Sequence, residues 1–229
     1  MSVIFRLELK RIIRQRLTLS LMGVLPLVLI FLPKSEGLDT VRISYGIFGL
    51  ITLFATFMLT KLVIEDRESH TIIRIAASPV THKDYLLGHL FAYMSVMFVQ
   101  VTIFWVISYF VWSGEFTFYL WAYLLMLCFT VMAICFSLFW HILFKTYATS
   151  LAVYSIVANL MAVIGGMSIP LEFLPERLRL IAIILPTYWY AYGLELAALH
   201  DNALVPLCLL ILLGFAIIFL TIGSKRRLE

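Results

Sequence analysis

The stretch ALVPLCLLILLGFAIIFLTIGSKRR, residues 203–227, decides the fold class. Its first 20 residues carry no charged side chain, and Lys225, Arg226 and Arg227 follow almost at once. About 20 apolar residues in an α-helix, rising about 1.5 Å each, cross about 30 Å of membrane hydrocarbon. Basic residues concentrate where a span leaves the membrane on the cytoplasmic side. The stretch therefore predicts a membrane-spanning helix that ends at the cytoplasmic surface.

The composition of the whole chain agrees with this interpretation. Of its 229 residues, 63% are hydrophobic and 13% are charged, whereas a soluble domain averages about 45–50% apolar and about 25% charged residues. No polar stretch is long enough to fold as a separate soluble domain, so residues 1–229 are predicted to form a single transmembrane domain. Three cysteines lie inside apolar runs and include no C-x-x-C pair, so no disulfide framework is indicated.

Five further apolar runs complete the predicted fold, an all-α integral membrane protein with six transmembrane helices. These spans are 17–33, 44–64, 86–112, 118–144 and 147–169, before the last at 203–222. With six spans, 13 of the 17 lysines and arginines lie on the side of the N-terminus and four on the other side. The positive-inside rule then predicts that both termini are cytoplasmic.

Residues 2–16 precede the first span and have the pattern of an amphipathic helix lying along the membrane surface. Apolar and basic residues recur at helical spacing on two different faces. The apolar residues are Phe5, Leu9, Ile12 and Ile13, and the basic ones are Arg6, Lys10 and Arg14. The alternative is an ordinary positively charged flank of the first span.

The stretch 170–201 is apolar in two short parts, neither of which is long enough to cross the membrane. Pro186 separates them, and a full crossing here would move Lys225–Arg227 to the outer side. We therefore predict a re-entrant hairpin of two short helices on the outer side, since irregular backbone at that depth must be buried in protein. Glu195 is an acid in a mostly apolar stretch, and an exposed loop position is the alternative for it.

Catalytic and metal-binding patterns are missing from the sequence. There is no G-x-x-x-x-G-K-[ST] phosphate loop, no H-E-x-x-H and no G-x-S-x-G, and the five histidines are scattered. We predict no catalytic residue and no metal site, and the basic residues sit in flanks and loops rather than in a nucleic-acid-binding module. Asn159 is the clearest polar residue inside a span. It indicates either a hydrogen bond between helices or a place on a substrate path.

The loop 65–85 begins with the charged run Glu65-Asp66-Arg67-Glu68. An apolar stretch, 72–77, then predicts a short helix that ends before Pro79. A short helix presented to the cytosol is suited to docking a soluble partner, and a plain solvated connection is the alternative.

Two stretches resemble the ABC-2-type transporter permeases. The first reads Arg67-Glu68-x-x-Thr71, then Ala77-Ser78-Pro79-Val80, then Tyr85-Leu86-Leu87-Gly88, and it is similar to the family's loop after span two. The second is residues 165–178, GGMSIPLEFLPERL, which resembles the family's re-entrant segment after span five. One departure is His70, where the family often has glycine.

The resemblance implies roles for particular residues and partners. The chain would pair with a second permease chain and with two copies of a soluble ABC ATPase, which would bind ATP and magnesium while this chain binds no cofactor. The ATPase-coupling residues would be Glu65, Arg67, Glu68, Thr71, Ile72, Ile75 and Pro79, and the interface helix would contribute Phe5, Arg6, Lys10 and Arg14. The candidate substrate path would include Phe48, Phe54, Asn159 and Val163, and the outer lid would include Gly165, Gly166, Pro170, Pro186 and Glu195.

The expected function is therefore export of a hydrophobic or amphipathic substrate, such as a drug, an antimicrobial peptide or a lipid-like molecule, across a bacterial plasma membrane. Two alternatives remain at this point. One is a membrane scaffold or immunity protein without transport activity. The other is an ion-coupled secondary transporter, which would need intramembrane acids that the spans lack.

Overall fold

Nine α-helices form the described part of the chain in the computed structural model, which covers residues 2–31, 38–68, 82–112 and 116–225. The helices are α1 Ser2–Arg14, α2 Arg16–Ile30, α3 Leu38–Glu68, α4 His82–Trp112, α5 Phe116–Leu143, α6 Tyr147–Ile164, α7 Glu176–Ala182, α8 Pro186–Ala198 and α9 Val205–Lys225. No β-strand occurs in these ranges. The predicted all-α class is confirmed.

Within the described ranges, five helices are each long and apolar enough to cross a membrane: α3, α4, α5, α6 and α9. The bent pair α7 and α8 would make a sixth span if the two helices crossed together. The helix of the first predicted span, α2, has 15 residues, so it is about 22 Å long against about 30 Å of hydrocarbon. The end of that predicted span falls in residues 32–37, which lie outside the described residues.

The core of the bundle is built around α5, which packs against α3, α4, α8 and α9. Aromatic pairs fill the contacts between these helices. Phe48 stacks on Phe104 with ring centroids 4.1 Å apart, and Phe129 stacks on Tyr190 at 4.4 Å. Large aromatic side chains bury much apolar area each, so these pairs fix α3 against α4 and α5 against α8.

A buried polar network joins α3, α5 and α6. The Tyr154 hydroxyl donates to the Leu53 carbonyl oxygen at 2.9 Å, and His141 Nε2 lies 3.2 Å from the Phe57 carbonyl oxygen. Ser150 Oγ lies 3.3 Å from Nδ1 of the same histidine. Polar groups inside a membrane must find partners within the protein, so this network fixes the three helices in one arrangement.

The helices on either side of the loop 65–85 extend into it. Residues 65–68 form the last turn of α3, so the helix of the second span ends later than predicted, and residues 82–85 form the first turn of α4. Both helices include charged residues at these ends. A helix can continue beyond the hydrocarbon because its backbone hydrogen bonds do not depend on apolar side chains. The predicted short helix 72–77 lies outside the described residues.

The fifth span is shorter than predicted. Its helix, α6, ends at Ile164 rather than at 169, because Gly165 follows as its cap and Gly166 adopts a φ of 83°. Glycine adopts this left-handed conformation without a steric penalty.

The predicted hairpin follows as a 3-10 turn, Leu171–Phe173, and the two short helices α7 and α8. The axes of α7 and α8 differ by 106°. Their bounds are 176–182 and 186–198, and Pro186 occupies the first turn of α8, where its missing N–H costs nothing.

Candidate functional site

Helix α1 packs mainly against α4. Ile12 is fully buried and Phe5 is half-buried in this contact, as expected for the apolar face. Ile13, predicted on the same face, is 60% exposed. Arg6, Lys10 and Arg14 are exposed, on the opposite side of the helix.

A cluster of four titratable side chains joins α1 to the ends of α3 and α4. We call Glu8, Arg11, Asp66 and His89 the charge cluster. Arg11 donates from Nη1 to Oδ2 of Asp66 at 2.9 Å and from Nη2 to Oδ1 at 2.8 Å. It also donates to Oε1 of Glu8 at 2.8 Å, and His89 Nδ1 lies 3.6 Å from that oxygen. The two helices that flank residues 69–81 are therefore both tied to α1.

Burial dominates the electrostatics of this cluster. Glu8 and Asp66 are 2% and 3% exposed. Burial raises the pKa of Glu8 to about 7 although the Arg11 guanidinium opposes the shift. Hydrogen bonding to Asp66 raises the pKa of Arg11 above its ordinary value, so Arg11 stays charged. Oε2 of Glu8 is buried and has no hydrogen-bond partner among the described residues.

The charge cluster also contains three side chains of types that bind metal ions. The ligand atoms of Glu8, Asp66 and His89 lie within 4.8 Å of one another. The Arg11 guanidinium, however, already bonds both oxygens of Asp66 and one of Glu8. It supplies the positive charge that a cation would bring, so the arrangement fits an ion-pair network better than a metal site.

Glu68, a predicted coupling residue, connects the end of α3 to the start of α6. Its Oε1 accepts a hydrogen bond from the backbone N–H of Tyr147 at 2.8 Å. A carboxylate at a helix N-terminus is stabilised by the unsatisfied N–H groups and the helix dipole. Glu65, one turn earlier, pairs with Lys61 at 3.2 Å.

The remaining predicted coupling residues are outside what the structure describes. Thr71, Ile72, Ile75 and Pro79 fall in residues 69–81, and the side chain of Arg67 is likewise not described. Their assignment stays a prediction.

The candidate path residues do not share one surface. Phe48 is 1% exposed and lies in the core against Phe104, while Phe54 is half-buried with its ring edge on Tyr154. Asn159 and Val163, one helical turn apart, are both exposed on α6. The Asn159 amide donates to the Ser155 carbonyl oxygen at 2.8 Å.

The exposed face of α6 is otherwise apolar, with Ile156 64% and Leu160 54% exposed. Asn159 is thus a polar side chain on the outer surface of a spanning helix. Such residues usually contact a neighbouring helix or a polar cavity rather than lipid.

The predicted lid residues are brought together where α6, α8 and the start of α3 meet. Gly165 ends α6, and the Thr187 hydroxyl at the start of α8 donates to the Met161 carbonyl oxygen at 2.7 Å. The Tyr190 hydroxyl donates to the carbonyl oxygen of Tyr45 at 2.9 Å, which pins α8 to α3.

Glu195 is half-buried, and one of its oxygens lies 3.8 Å from Nη1 of Arg42 in α3. Pro170 lines the same small pocket as this ion pair and Gly166. The hairpin is therefore anchored to α3 by both a hydrogen bond and an ion pair.

Sequence reasoning missed the functional pairing of Glu8, Arg11, Asp66 and His89. A signal was present for Glu8, because Phe5, Glu8 and Ile12 share the i, i+3, i+7 spacing of one buried face. An acid on that face requires a buried cation, and Arg11 is one helical turn away. The sequence does not show that α1 lies close to Asp66. The Arg11–Asp66 pair could therefore be identified only from the folded structure.

These features define an α-helical membrane protein with several candidate spans, an amphipathic helix ion-paired to the end of α3, and a bent pair of short helices before the last span. A family model described as ABC-2 family transporter protein matches residues 10–225, and the chain belongs to this family. The resemblance seen in the sequence is thus confirmed. No curated protein sequence matches the chain significantly.

Family membership makes the chain a membrane transporter permease. It is a membrane subunit and is not itself catalytic. Membership also implies association with an ATPase subunit.

Proposed function

We propose that this chain is the membrane-spanning subunit of an ATP-binding-cassette exporter, with ATP and magnesium bound by two copies of a separate ATPase. A second permease chain completes the transporter, and both termini face the cytoplasm of a bacterial cell. The substrate is hydrophobic or amphipathic, such as a drug, an antimicrobial peptide or a lipid-like molecule. The apolar, aromatic character of the spans supports this substrate class, because a desolvated ion would need charged partners.

The main support for coupling to an ATPase is the Arg11–Asp66 contact. Asp66 lies at the end of α3, three residues before the segment 69–81. A force applied to this segment would reach α1 through the charge cluster and α6 through Glu68 and Tyr147. Rigid helices joined by buried ion pairs and hydrogen bonds are the kind of contiguous network that carries coupling.

The exposed face of α6 supports a second permease chain. Burying Ile156, Leu160 and Asn159 against a second copy would remove an exposed amide from lipid. The same face would then border a path at the dimer axis, next to the hairpin that closes its outer end.

The test is co-expression with the ATPase and purification of the complex from membranes, followed by assay of ATP hydrolysis. Glu68→Ala and Arg67→Ala should weaken co-purification or alter turnover, while Glu176→Ala in the hairpin should change neither. Normal co-purification and turnover in both loop variants would overturn the coupling assignment. If no ATPase accompanies the wild-type chain, the scaffold alternative is favoured.

A further inference from the structure

An apolar groove of about 400 Å³ opens between α2 and α4. Its rim includes Val24 and Val99, which are 60% and 56% exposed, and its floor includes Phe104, which is 1% exposed. The volume lies within the range of about 300–1,000 Å³ that is usual for sites binding small molecules. The exposed side chains at its rim leave the groove open to the surroundings of the two helices.

Gly23 lies at the wall of the groove and faces open space. A Cβ added at Gly23 would meet no other atom within 4 Å, and Gly23 lines the groove. Glycine in a helix interior costs about 1 kcal/mol relative to alanine. Gly23 therefore lowers the stability of α2 relative to alanine, at a position where a larger side chain would extend into the groove.

The lining suits an alkyl chain. Among the residues whose side chains the structure describes, none that lines the groove is charged, and Ser20 and Gln100 are the polar ones. From Val96 to Phe104 the groove follows α4 for about 12 Å, calculated from the helical rise. One leaflet contributes about 15 Å of hydrocarbon, so the groove accommodates an elongated apolar group lying within a single leaflet.

The exposed basic residues of α1 lie on the chain just before the groove. Arg14 precedes Ser20 by six positions, and Arg6 and Lys10 are exposed on the same helix. Arg11 of that helix is already bonded to Asp66. Exposed basic residues next to a membrane attract anionic headgroups by about 1 kcal/mol each.

We propose that the groove binds one acyl chain of an anionic phospholipid from the leaflet on the side of α1, with its headgroup at the level of α1, where the positive charges of the exposed Lys10 and Arg14 attract it. The apolar groove recognises the chain, and the basic face of α1 selects the headgroup. This lipid site is separate from the proposed transport path on α6. It does not depend on whether the chain exports a substrate.

The test places the full-length chain in nanodiscs of phosphatidylcholine mixed with a phosphatidylglycerol that carries a photoreactive diazirine on one acyl chain. After irradiation, mass spectrometry maps the labelled peptides. We expect labelling of segments 20–27 and 96–104 to exceed labelling of the lipid-facing residues Leu210 and Ile217 on α9. Equal labelling of the groove and the α9 face in the wild-type chain would overturn the proposal without any variant. So would cross-links between two copies of the chain at these segments in place of lipid adducts.

Matched variants test the two parts of the site separately. Gly23→Phe should reduce groove labelling about tenfold, as expected for excluding about two methylene groups. Gly214→Phe is the control, since a Cβ there also meets open space but lies outside the groove. Lys10→Gln combined with Arg14→Gln should remove the preference for labelled phosphatidylglycerol over labelled phosphatidylcholine. Unchanged labelling in Gly23→Phe would contradict binding of the acyl chain in the groove. The absence of a headgroup preference in the wild type would contradict selection of the headgroup by α1.

Discussion

The Arg11 guanidinium binds both carboxylate oxygens of Asp66, at 2.9 and 2.8 Å, although the two residues are 55 positions apart. This bidentate contact fixes the amphipathic helix α1 to the end of the second predicted span. Paired, parallel hydrogen bonds of this kind are strong and geometrically specific. In the proposed coupling, this contact links the end of α3 to α1.

Replacing Arg11 should destabilise the protein. Arg11→Gln removes the bidentate contact with Asp66 and the contact with Glu8, and we expect a loss of about 2–3 kcal/mol. This is less than the about 3–5 kcal/mol of a fully buried pair because the Arg11 side chain is 39% exposed. The apparent unfolding temperature in detergent checks it. Arg14→Gln, at an exposed position of the same helix, should leave that temperature unchanged, and an equal effect of both variants would contradict the assignment.

Stability should depend on pH through Glu8. Its pKa is raised from 4.5 to about 7 in the folded protein, so the native state binds more protons than the unfolded state between these values. The stabilisation from protonated Glu8 is fully present below about pH 4.5 and is lost as the pH rises through about 7. The unfolding temperature of the wild type minus that of Glu8→Gln should therefore fall as the pH rises across this range. A difference that does not change with pH would exclude Glu8 as a source of pH dependence.

Glu68 should protect the first turn of α6. Glu68→Ala removes the acceptor of the Tyr147 amide and a favourable charge at the helix N-terminus. Since such interactions contribute about 0.3–1 kcal/mol, we expect faster hydrogen exchange in this turn without global unfolding. Lys145→Ala is the control, because it removes an unfavourable positive charge beside the same N-terminus and should slow the exchange. Unchanged exchange in Glu68→Ala would show that the contact is not maintained in solution.

The hairpin should be sensitive to the size of residue 46. A Cβ at Gly46 would collide with the backbone carbonyl of Met167, which is rigid, so Gly46→Ala should displace the segment after α6. Overpacking of this kind costs about 1–3 kcal/mol. Gly214→Ala, where a Cβ meets open space, should leave the unfolding temperature the same or slightly higher. Tolerance of both substitutions would mean that the hairpin does not pack on α3 as described.

The exposed face of α6 should lie at the interface with the second permease chain. In a chain carrying Asn159→Cys, a short bifunctional thiol reagent applied to membranes should produce a cross-linked dimer on a denaturing gel. Leu210 on α9 is 67% exposed, and a chain carrying Leu210→Cys should not produce the dimer. The parent chain, with its three native cysteines, gives the background level of cross-linking. A dimer from Leu210→Cys alone would place the interface on α9 instead.

Much of the fold could be predicted because hydrocarbon thickness sets the length of a span and proline and glycine mark its ends. The last span was placed at 203–222 and is helical over 205–225. The two short helices α7 and α8 were recognised because Pro186 divides two stretches that are each too short to cross. The end of α6 was predicted too late, because residues 165–169 contain no charged side chain. Hydropathy also carries no information about the left-handed backbone conformation of Gly166.

The candidate site was less predictable, because it depends on contacts between distant parts of the chain. The periodicity of α1 identified its exposed basic face, but it gave no indication that Arg11 pairs with Asp66. Phe48 was assigned to the path by its place in the second span. Which face of that helix meets α4 depends on the packing of the whole bundle, and this packing buries Phe48.

The central claim, that this permease works with a separate ATPase, is tested most directly by purifying the tagged chain from its native membranes. The co-purifying proteins are identified by mass spectrometry, and ATP hydrolysis by the complex is measured. We predict an ABC ATPase in stoichiometric amount and hydrolysis that is lost when its phosphate-binding lysine is replaced. Recovery of the chain without any ATPase would contradict the account. So would recovery with an ATPase whose hydrolysis rate is the same when the permease chain is absent.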